Sequence, residues 1–366
     1  MNRLILIGNG FDLAHGLKTD YNSFILWYLK KCLIQAFNPN NLHYEDNLIS
    51  IDTIIPNHPL KFSNSIDKEI NGISALIDHY YKTDFSALLD HEWLYPNSNE
   101  RTKNPFKIKT KSIFFNSLIR KCSHANWVAI ENEFYKSLKI HLNNTASQNQ
   151  LIQLNNSLRA LIDELEIYLS SINNKVMIEG YKDLLLSNND NCMILNFNYT
   201  NTIENYITDE FIGNAKKYRE NNFLINYIHG KLNDIENPLI FGFGDEIDED
   251  YRRMELMNNN AFFEFIKSFW YFKTDNYSRL IDFLNHDYYE VLIVGHSCGL
   301  SDRTLLNMIF EHKYCEAIEI IYHQREESNN YTNLTYEISR HFKDKIQLRK
   351  RLVPFPKCKP MPQYTP

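Results

Sequence analysis

The sequence predicts an α/β protein built on a mostly parallel, doubly wound sheet, with helices on both faces and a large helical insertion after the first strand. Three observations lead there. An apolar, β-prone run at residues 3–7 passes directly into Gly8-Asn9-Gly10-Phe11-Asp12, as a buried parallel strand does when it enters a turn. The next such run, Cys192-Met193-Ile194-Leu195-Asn196-Phe197, comes only after a long segment that reads mostly as helix. From there on short apolar runs alternate with helical or polar stretches, at residues 224–228, 239–243, 291–294 and 317–322, with an edge strand at 346–352.

Each element has its own grounds. The glycines after residues 3–7 remove Cβ atoms where the backbone turns and let N–H groups approach an anion. A full dinucleotide fingerprint has a third glycine where Leu13 stands, so the segment reads either as a phosphate loop or as a plain strand-to-helix turn. In the insertion, Leu151, Leu154, Leu158, Leu161, Ile162, Leu165, Leu169 and Ile172 share one helical face, with Asn155, Arg159, Asp163 and Glu166 between them. Further helices are expected at 21–37, 66–89, 111–120 and 127–140, and loops at 39–59 and 95–105, where Asn, Pro and Ser gather. The resulting domains are a discontinuous α/β unit at 1–20 and 190–353, the helical insertion at 21–189, and an extended Pro-rich tail at 354–366 that continues neither helix nor sheet.

Composition narrows the function. A chain of 366 residues with 43% hydrophobic and 23% charged content supports a large core. Its formal charge of -6 lacks the basic excess of a dedicated nucleic-acid binder. The cysteines at 32, 122, 192, 298, 315 and 358 form no C-x-x-C pair, no signal-like segment precedes the first strand, and no apolar run reaches membrane-spanning length. The expectation is a cytoplasmic protein that acts on a small molecule, away from membranes.

In open α/β sheets ligands bind beyond the carboxyl ends of the strands. Those ends are polar here: Gly8 to Asp12, then Asn196-Phe197-Asn198-Tyr199-Thr200-Asn201, His229-Gly230, Gly242-Phe243-Gly244-Asp245-Glu246, and the stretch from Gly295-His296-Ser297 to Asp302. Asn198 can orient a hydroxyl or a water through its amide, and the His229 imidazole, with an ordinary pKa near ~6.5, accepts a proton at neutral pH. Structural readings stand beside these. Asn198 can cap a helix starting near residue 200, His229 can bond backbone at a strand end, and His296 can fill a turn. The acidic stretch 245–250 can hold a cation or be solvated, and Glu131 and Glu133 can lie on an exposed helix face.

Gly-Asn-Gly-Phe-Asp, Asn-Phe-Asn-Tyr-Thr, His-Gly and Gly-His-Ser-x-Gly-x-x-Asp follow one another around the insertion. In that order they resemble the AbiH family of bacterial abortive-infection proteins over nearly the whole length. Trp127-Val128-Ala129-Ile130-Glu131 resembles that family's Trp-x-x-x-Glu element. More distantly, the order is similar to sirtuin-like, Rossmann-type NAD-binding domains. The resemblance implies Gly8 and Gly10 under a pyrophosphate, in one loop with Asn9, Phe11 and Asp12. It implies Asn198 at the nicotinamide ribose, with Thr200 where a sirtuin has Asp, and His229 as catalytic base. Gly295, His296, Ser297 and Asp302 would meet a second stretch of cofactor. The sirtuin zinc module, with its C-x-x-C pairs, has no counterpart here. The implied function is therefore an antiphage effector that hydrolyses NAD to nicotinamide and ADP-ribose without a metal. Its candidate partners are the nucleotide itself, a phage-derived trigger or protein, and a second copy of the chain. Two alternatives are a nucleotide-binding sensor that cleaves nothing, and a metal-dependent nuclease using Asp12, Asp245 and Glu246.

Overall fold

Five parallel strands end in register, and that alignment gathers the polar loops. In the computed structural model the described residues are 1–36, 42–53, 89, 92–94, 101–103, 106–121, 127–143, 148–173, 176–185, 191–206 and 223–364. They divide into two compact units, Met1–Thr19 with Leu169–Pro366, and Asp20–Tyr168. Residues 169–185 thus belong to the first unit rather than to the insertion, and Tyr181 packs there on Phe11 and His15.

The sheet of the first unit comprises β1 (Asn2–Ile7), β2 (Cys192–Asn196), β3 (Phe223–Tyr227), β4 (Tyr289–Val294) and β5 (Cys315–Ile321), in the order β3-β2-β1-β4-β5. Ile7 lies opposite both Asn196 and Val294, Asn196 opposite Tyr227, and Val294 opposite Ile321, so all five carboxyl ends form one row. The chain steps outward from β1 to β3 and then returns to the other side of β1. The two faces of β1 enter different cores. Leu4 and Leu6 join Val291, Ile293, Leu305, Ile309 and Phe310 on one face, while Ile5 and Ile7 join Phe11, Tyr181, Tyr206 and Met361 on the other. Burial on both faces explains the unbroken apolar runs, each fully buried Leu or Ile contributing ~1.5–3 kcal/mol.

Several expectations need correction. Residues 239–243 form no strand. Gly242 has a φ of +154° and a Cβ there would fall 2.0 Å from the Phe265 carbonyl oxygen. The segment bonds instead to the turn after β3 and to residues 265–267, through Ile240 N–H to His229 O, Phe243 N–H to Phe265 O and Lys267 N–H to Phe243 O. Residues 346–352 are not an edge strand either, because Asp344 caps a helix, Lys345–Arg351, by accepting from the Ile346 and Gln347 amides. The tail is docked rather than merely extended. Phe355–Lys357 makes a 3-10 turn, and Pro360 bridges Tyr322, whose amide donates to Lys359 O while the Met361 amide donates to Tyr322 O. Proline is tolerated there because an edge position asks nothing of its missing N–H.

The second unit holds the helices Tyr21–Ala36, Ile113–Lys121, Trp127–Asn143 and Gln148–Ser170 near their expected places. It is not purely helical. His43–Glu45, Ile49–Thr53 and Phe106–Thr110 form an antiparallel sheet, and Glu92–Leu94 pairs with Arg101–Lys103; of these, His43–Glu45, Ile49–Thr53 and Arg101–Lys103 fall inside stretches expected as loops. Asp46 makes the first hairpin by accepting the Leu48 and Ile49 amides. The helix expected at 66–89 lies outside the described residues except for position 89.

Candidate functional site

The loop after β1 is shaped by the loop after β4. Gly8 N–H donates to Val294 O and Gly10 N–H to Gly295 O, while Phe11 N–H closes back on Gly8 O. A Cβ on Gly8 would lie 2.5 Å from the His296 Cα, and one on Gly10 2.8 Å from the Gly295 Cα. Gly295 itself, at φ +70°, would bring a Cβ within 2.2 Å of the Phe11 nitrogen. The glycines therefore permit backbone against backbone, and their amides are engaged inside the protein rather than turned toward a phosphate. Gly10→Val is expected to cost about 1–3 kcal/mol by overpacking this contact, lowering the melting temperature with or without nucleotide. An unchanged melting temperature would mean that the two loops part in solution.

The helix that follows, α1 (Asn9–Ala14), carries Asp12 into the interior. Thr200 Oγ1 donates to Asp12 Oδ2 at 2.6 Å, and Asn198 Nδ2 donates to Gly8 O at 3.1 Å. Asn198 is thus tied to the β1 loop, not used as a cap for the 3-10 helix Thr202–Tyr206. Burial pushes the Asp12 carboxyl up to about 6, against hydrogen bonds from Thr200, Thr202 and Asn198 that pull it down. The sign follows from linkage. The folded protein holds a proton that the unfolded chain releases near ~4, so the cost of Asp12 is absent in acid, grows as pH rises and is complete above about 6. Asp12→Asn is expected to stabilise the protein at pH 8 by about 3 kcal/mol, a gain that vanishes near pH 4. Urea titrations across that range test it, and a gain independent of pH would contradict it.

A second group surrounds Asp302. Lys267 Nζ lies 2.7 Å from Asp302 Oδ1, His229 Nε2 lies 3.3 Å from the same oxygen, and His296 Nε2 lies 3.7 Å from Oδ2. All four side chains are buried, Lys267 to 1% exposure. Tyr271 places its hydroxyl 3.2 Å from His229 Nε2, and the Phe197 ring contacts both imidazoles at 4.9 and 4.1 Å between centroids. Burial alone would raise the Asp302 carboxyl, yet Lys267, His229 and His296 together hold it well below the usual carboxylate range. Burial also pushes His296 down to about 4, outweighing the pull of Asp302. His296 is thus neutral at physiological pH, and its Nδ1 accepts the Cys298 amide at 3.1 Å.

The remaining candidates separate. Asn9 accepts from Thr19 and is half-buried, Ser297 is exposed, and Phe11 packs into the core against His15, Tyr181 and Tyr206. Asp245 pairs with Arg303 at 3.1 Å, the Glu246 amide donates to Thr304, and Asp248 caps the helix Glu249–Leu256. The acidic stretch is therefore built into caps and ion pairs. Asp12 and Asp245 have these separate partners, and the described residues contain no group of three or more His, Cys, Asp or Glu placed to hold a metal ion. Trp127 packs on Tyr21 and Phe24 in the second unit, where Glu131 is also buried.

Sequence reasoning missed Lys267 and Tyr271. The signal was present: one lysine inside Phe262-Phe263-Glu264-Phe265-Ile266-Lys267-Ser268-Phe269-Trp270-Tyr271, an aromatic stretch in which a cation needs a partner.

Residues 4–324 match the family model for bacteriophage abortive infection AbiH. The chain belongs to the AbiH family. None of the curated proteins matches it. Membership gives the protein a place in phage abortive infection, and the match runs from Leu4 within β1 through the end of β5 and includes every residue of the Asp302 group. No helix among the described residues of this AbiH-family chain is long and apolar enough to cross a membrane, and its five described cysteines are free thiols.

Proposed function

We propose that this AbiH-family protein acts in abortive infection as a cytoplasmic NAD glycohydrolase. What carries the reading is His229, an imidazole facing a buried carboxylate, standing with Asn198 at the level carboxyl ends of a sheet ordered β3-β2-β1-β4-β5, the Rossmann-type order. Asn198 Nδ2 is held by Gly8 O, and its Oδ1 accepts a ribose hydroxyl. With the Gly8 and Gly10 amides engaged, the nucleotide phosphates are met by Asn9 and Ser297 at the loop surface.

The reaction follows from these groups. The C1–N bond breaks and its electron pair leaves with the pyridine nitrogen, neutralising the nicotinamidium as nicotinamide. A water oxygen bonds to C1 as its proton passes to His229, giving ADP-ribose. Because the leaving group departs already neutralised, no Lewis acid is required, and chelator-treated protein is expected to keep its turnover and melting temperature.

Incubating the purified protein with NAD, with and without phage-infected cell extract, and following nicotinamide release tests the proposal. Release that requires His229 and Asn198 supports it. A flat trace in both conditions overturns it, with intact bound NAD pointing to a sensor and metal-dependent loss of RNA or DNA to a nuclease.

A further inference from the structure

Two histidines face one carboxylate, and their Nδ1 atoms are used differently. His296 places Nε2 3.7 Å from Asp302, beyond hydrogen-bond distance, while its Nδ1 accepts the Cys298 amide and is thereby occupied by the protein. His229 directs Nε2 toward Asp302 Oδ1 and the Tyr271 hydroxyl, and among the described residues its Nδ1 has no hydrogen-bond partner. A lone pair on Nε2 would lie 3.3 Å from the carboxylate oxygen and be repelled, whereas an N–H there is attracted by the charge while its hydrogen bond goes to the Tyr271 hydroxyl. We propose that Asp302 is the positioning residue for His229: its charge favours the Nε2–H tautomer and leaves the Nδ1 lone pair as the proton acceptor.

Lys267 completes the device. At 2.7 Å from Asp302 Oδ1 and fully buried, it supplies the positive charge that lets a carboxylate persist inside the protein without drawing a proton from His229. It reaches that position through the segment misread as a strand. Phe243 accepts the Lys267 amide, and the neighbouring Gly244 carbonyl accepts the Thr304 amide two residues beyond Asp302. A side chain on Gly244 would meet the Ser301 carbonyl oxygen at 2.8 Å, so the lysine and the carboxylate are braced against each other by backbone. Asp302 does not reach the substrate in this scheme. Among the described residues, the charged and titratable groups around it are Lys267, His229 and His296, with Tyr271 against His229 and with Cys298 and His341 within its electrostatic reach.

The inference rests on the proposed function for its consequence in turnover but not for its central measurement. Full-length protein labelled with 15N-histidine, without nucleotide, reports each tautomer by long-range 15N–1H correlation, and the His229→Gln spectrum assigns the His229 signals. The expected result is the Nε2–H tautomer. In Asp302→Asn the new amide can donate to Nε2 and turn the ring to the Nδ1–H form, with kcat for NAD falling about 10²–10⁴-fold and KM within about threefold. Asp302→Glu should keep the tautomer and recover part of kcat. An Nδ1–H tautomer in the unmodified protein, or an unchanged tautomer in Asp302→Asn, overturns the inference. Should Asp302→Asn fail to fold, the tautomer of the unmodified protein still decides. An Nε2–H tautomer in a protein that releases no nicotinamide would sink the NAD reading and leave the positioning role standing.

Discussion

Replacing Lys267 with Met is expected to lower the free energy of unfolding by about 3–5 kcal/mol. The methionine fills most of the lysine's volume but leaves Asp302 as a buried anion without its nearest cation, 2.7 Å away in the native protein. His296 cannot replace it at neutral pH, since it stays uncharged down to about 4. Urea titration at pH 7.5 measures the loss. Adding Asp302→Asn to Lys267→Met should recover part of it, because a neutral pair carries no uncompensated charge. The penalty should also shrink on acidification. Native Asp302, held far below the ordinary carboxylate range, stays charged, while in the variant it can escape by protonation. A loss under about 1 kcal/mol would show that solvent reaches the carboxylate and that the pair is not buried in the working protein.

His229→Ala is expected to reduce nicotinamide release by about 10²-fold or more, while costing only about 1–2 kcal/mol of stability. The imidazole packs edge-on to Phe197 and against Tyr271, so its removal leaves a small gap. It does not strand a charge, because Lys267 still pairs with Asp302. Folding and chemistry therefore separate at this position. Steady-state kinetics with melting curves read both at once. A variant that unfolds yet retains normal specific activity in its folded fraction would make His229 structural.

The parallel sheet was legible because its strands are buried on both faces and run as unbroken apolar blocks, as Leu4-Ile5-Leu6-Ile7 and Val291-Leu292-Ile293-Val294 show. The same criterion misled at residues 239–243, where Ile240, Phe241 and Phe243 are buried although the backbone pairs with a turn and with residues 265–267. Residues 346–352 misled for a different reason. Leu348 and Leu352, one helical turn apart, pack on the core, and the decisive residue was the cap, Asp344, which apolar alternation ignores. Of the site, Asn198, His229 and Asp302 could be picked from strand-end positions. That His229 and His296 would share one carboxylate could not, and the partner of Asp302 comes from a short helix far from any strand end. Gly8 and Gly10 read either as a phosphate loop or as a plain strand-to-helix turn, and in the structure they meet Gly295 and His296.

The central place of β1 has a consequence for how the protein is made. It is the earliest strand of the sheet to be synthesised, yet its neighbours are β2, beginning at residue 192, and β4, beginning at residue 289. At roughly 5–20 residues per second, translation leaves β1 without one of its two partners for on the order of 15–60 s. During that interval the second unit can collapse from contiguous sequence, whereas the β1 loop lacks Gly295 and His296 to close against and His229 lacks Asp302. A ribosome-bound chain shorter than about 300 residues therefore cannot assemble the cluster, because His296 and Asp302 have not yet been made.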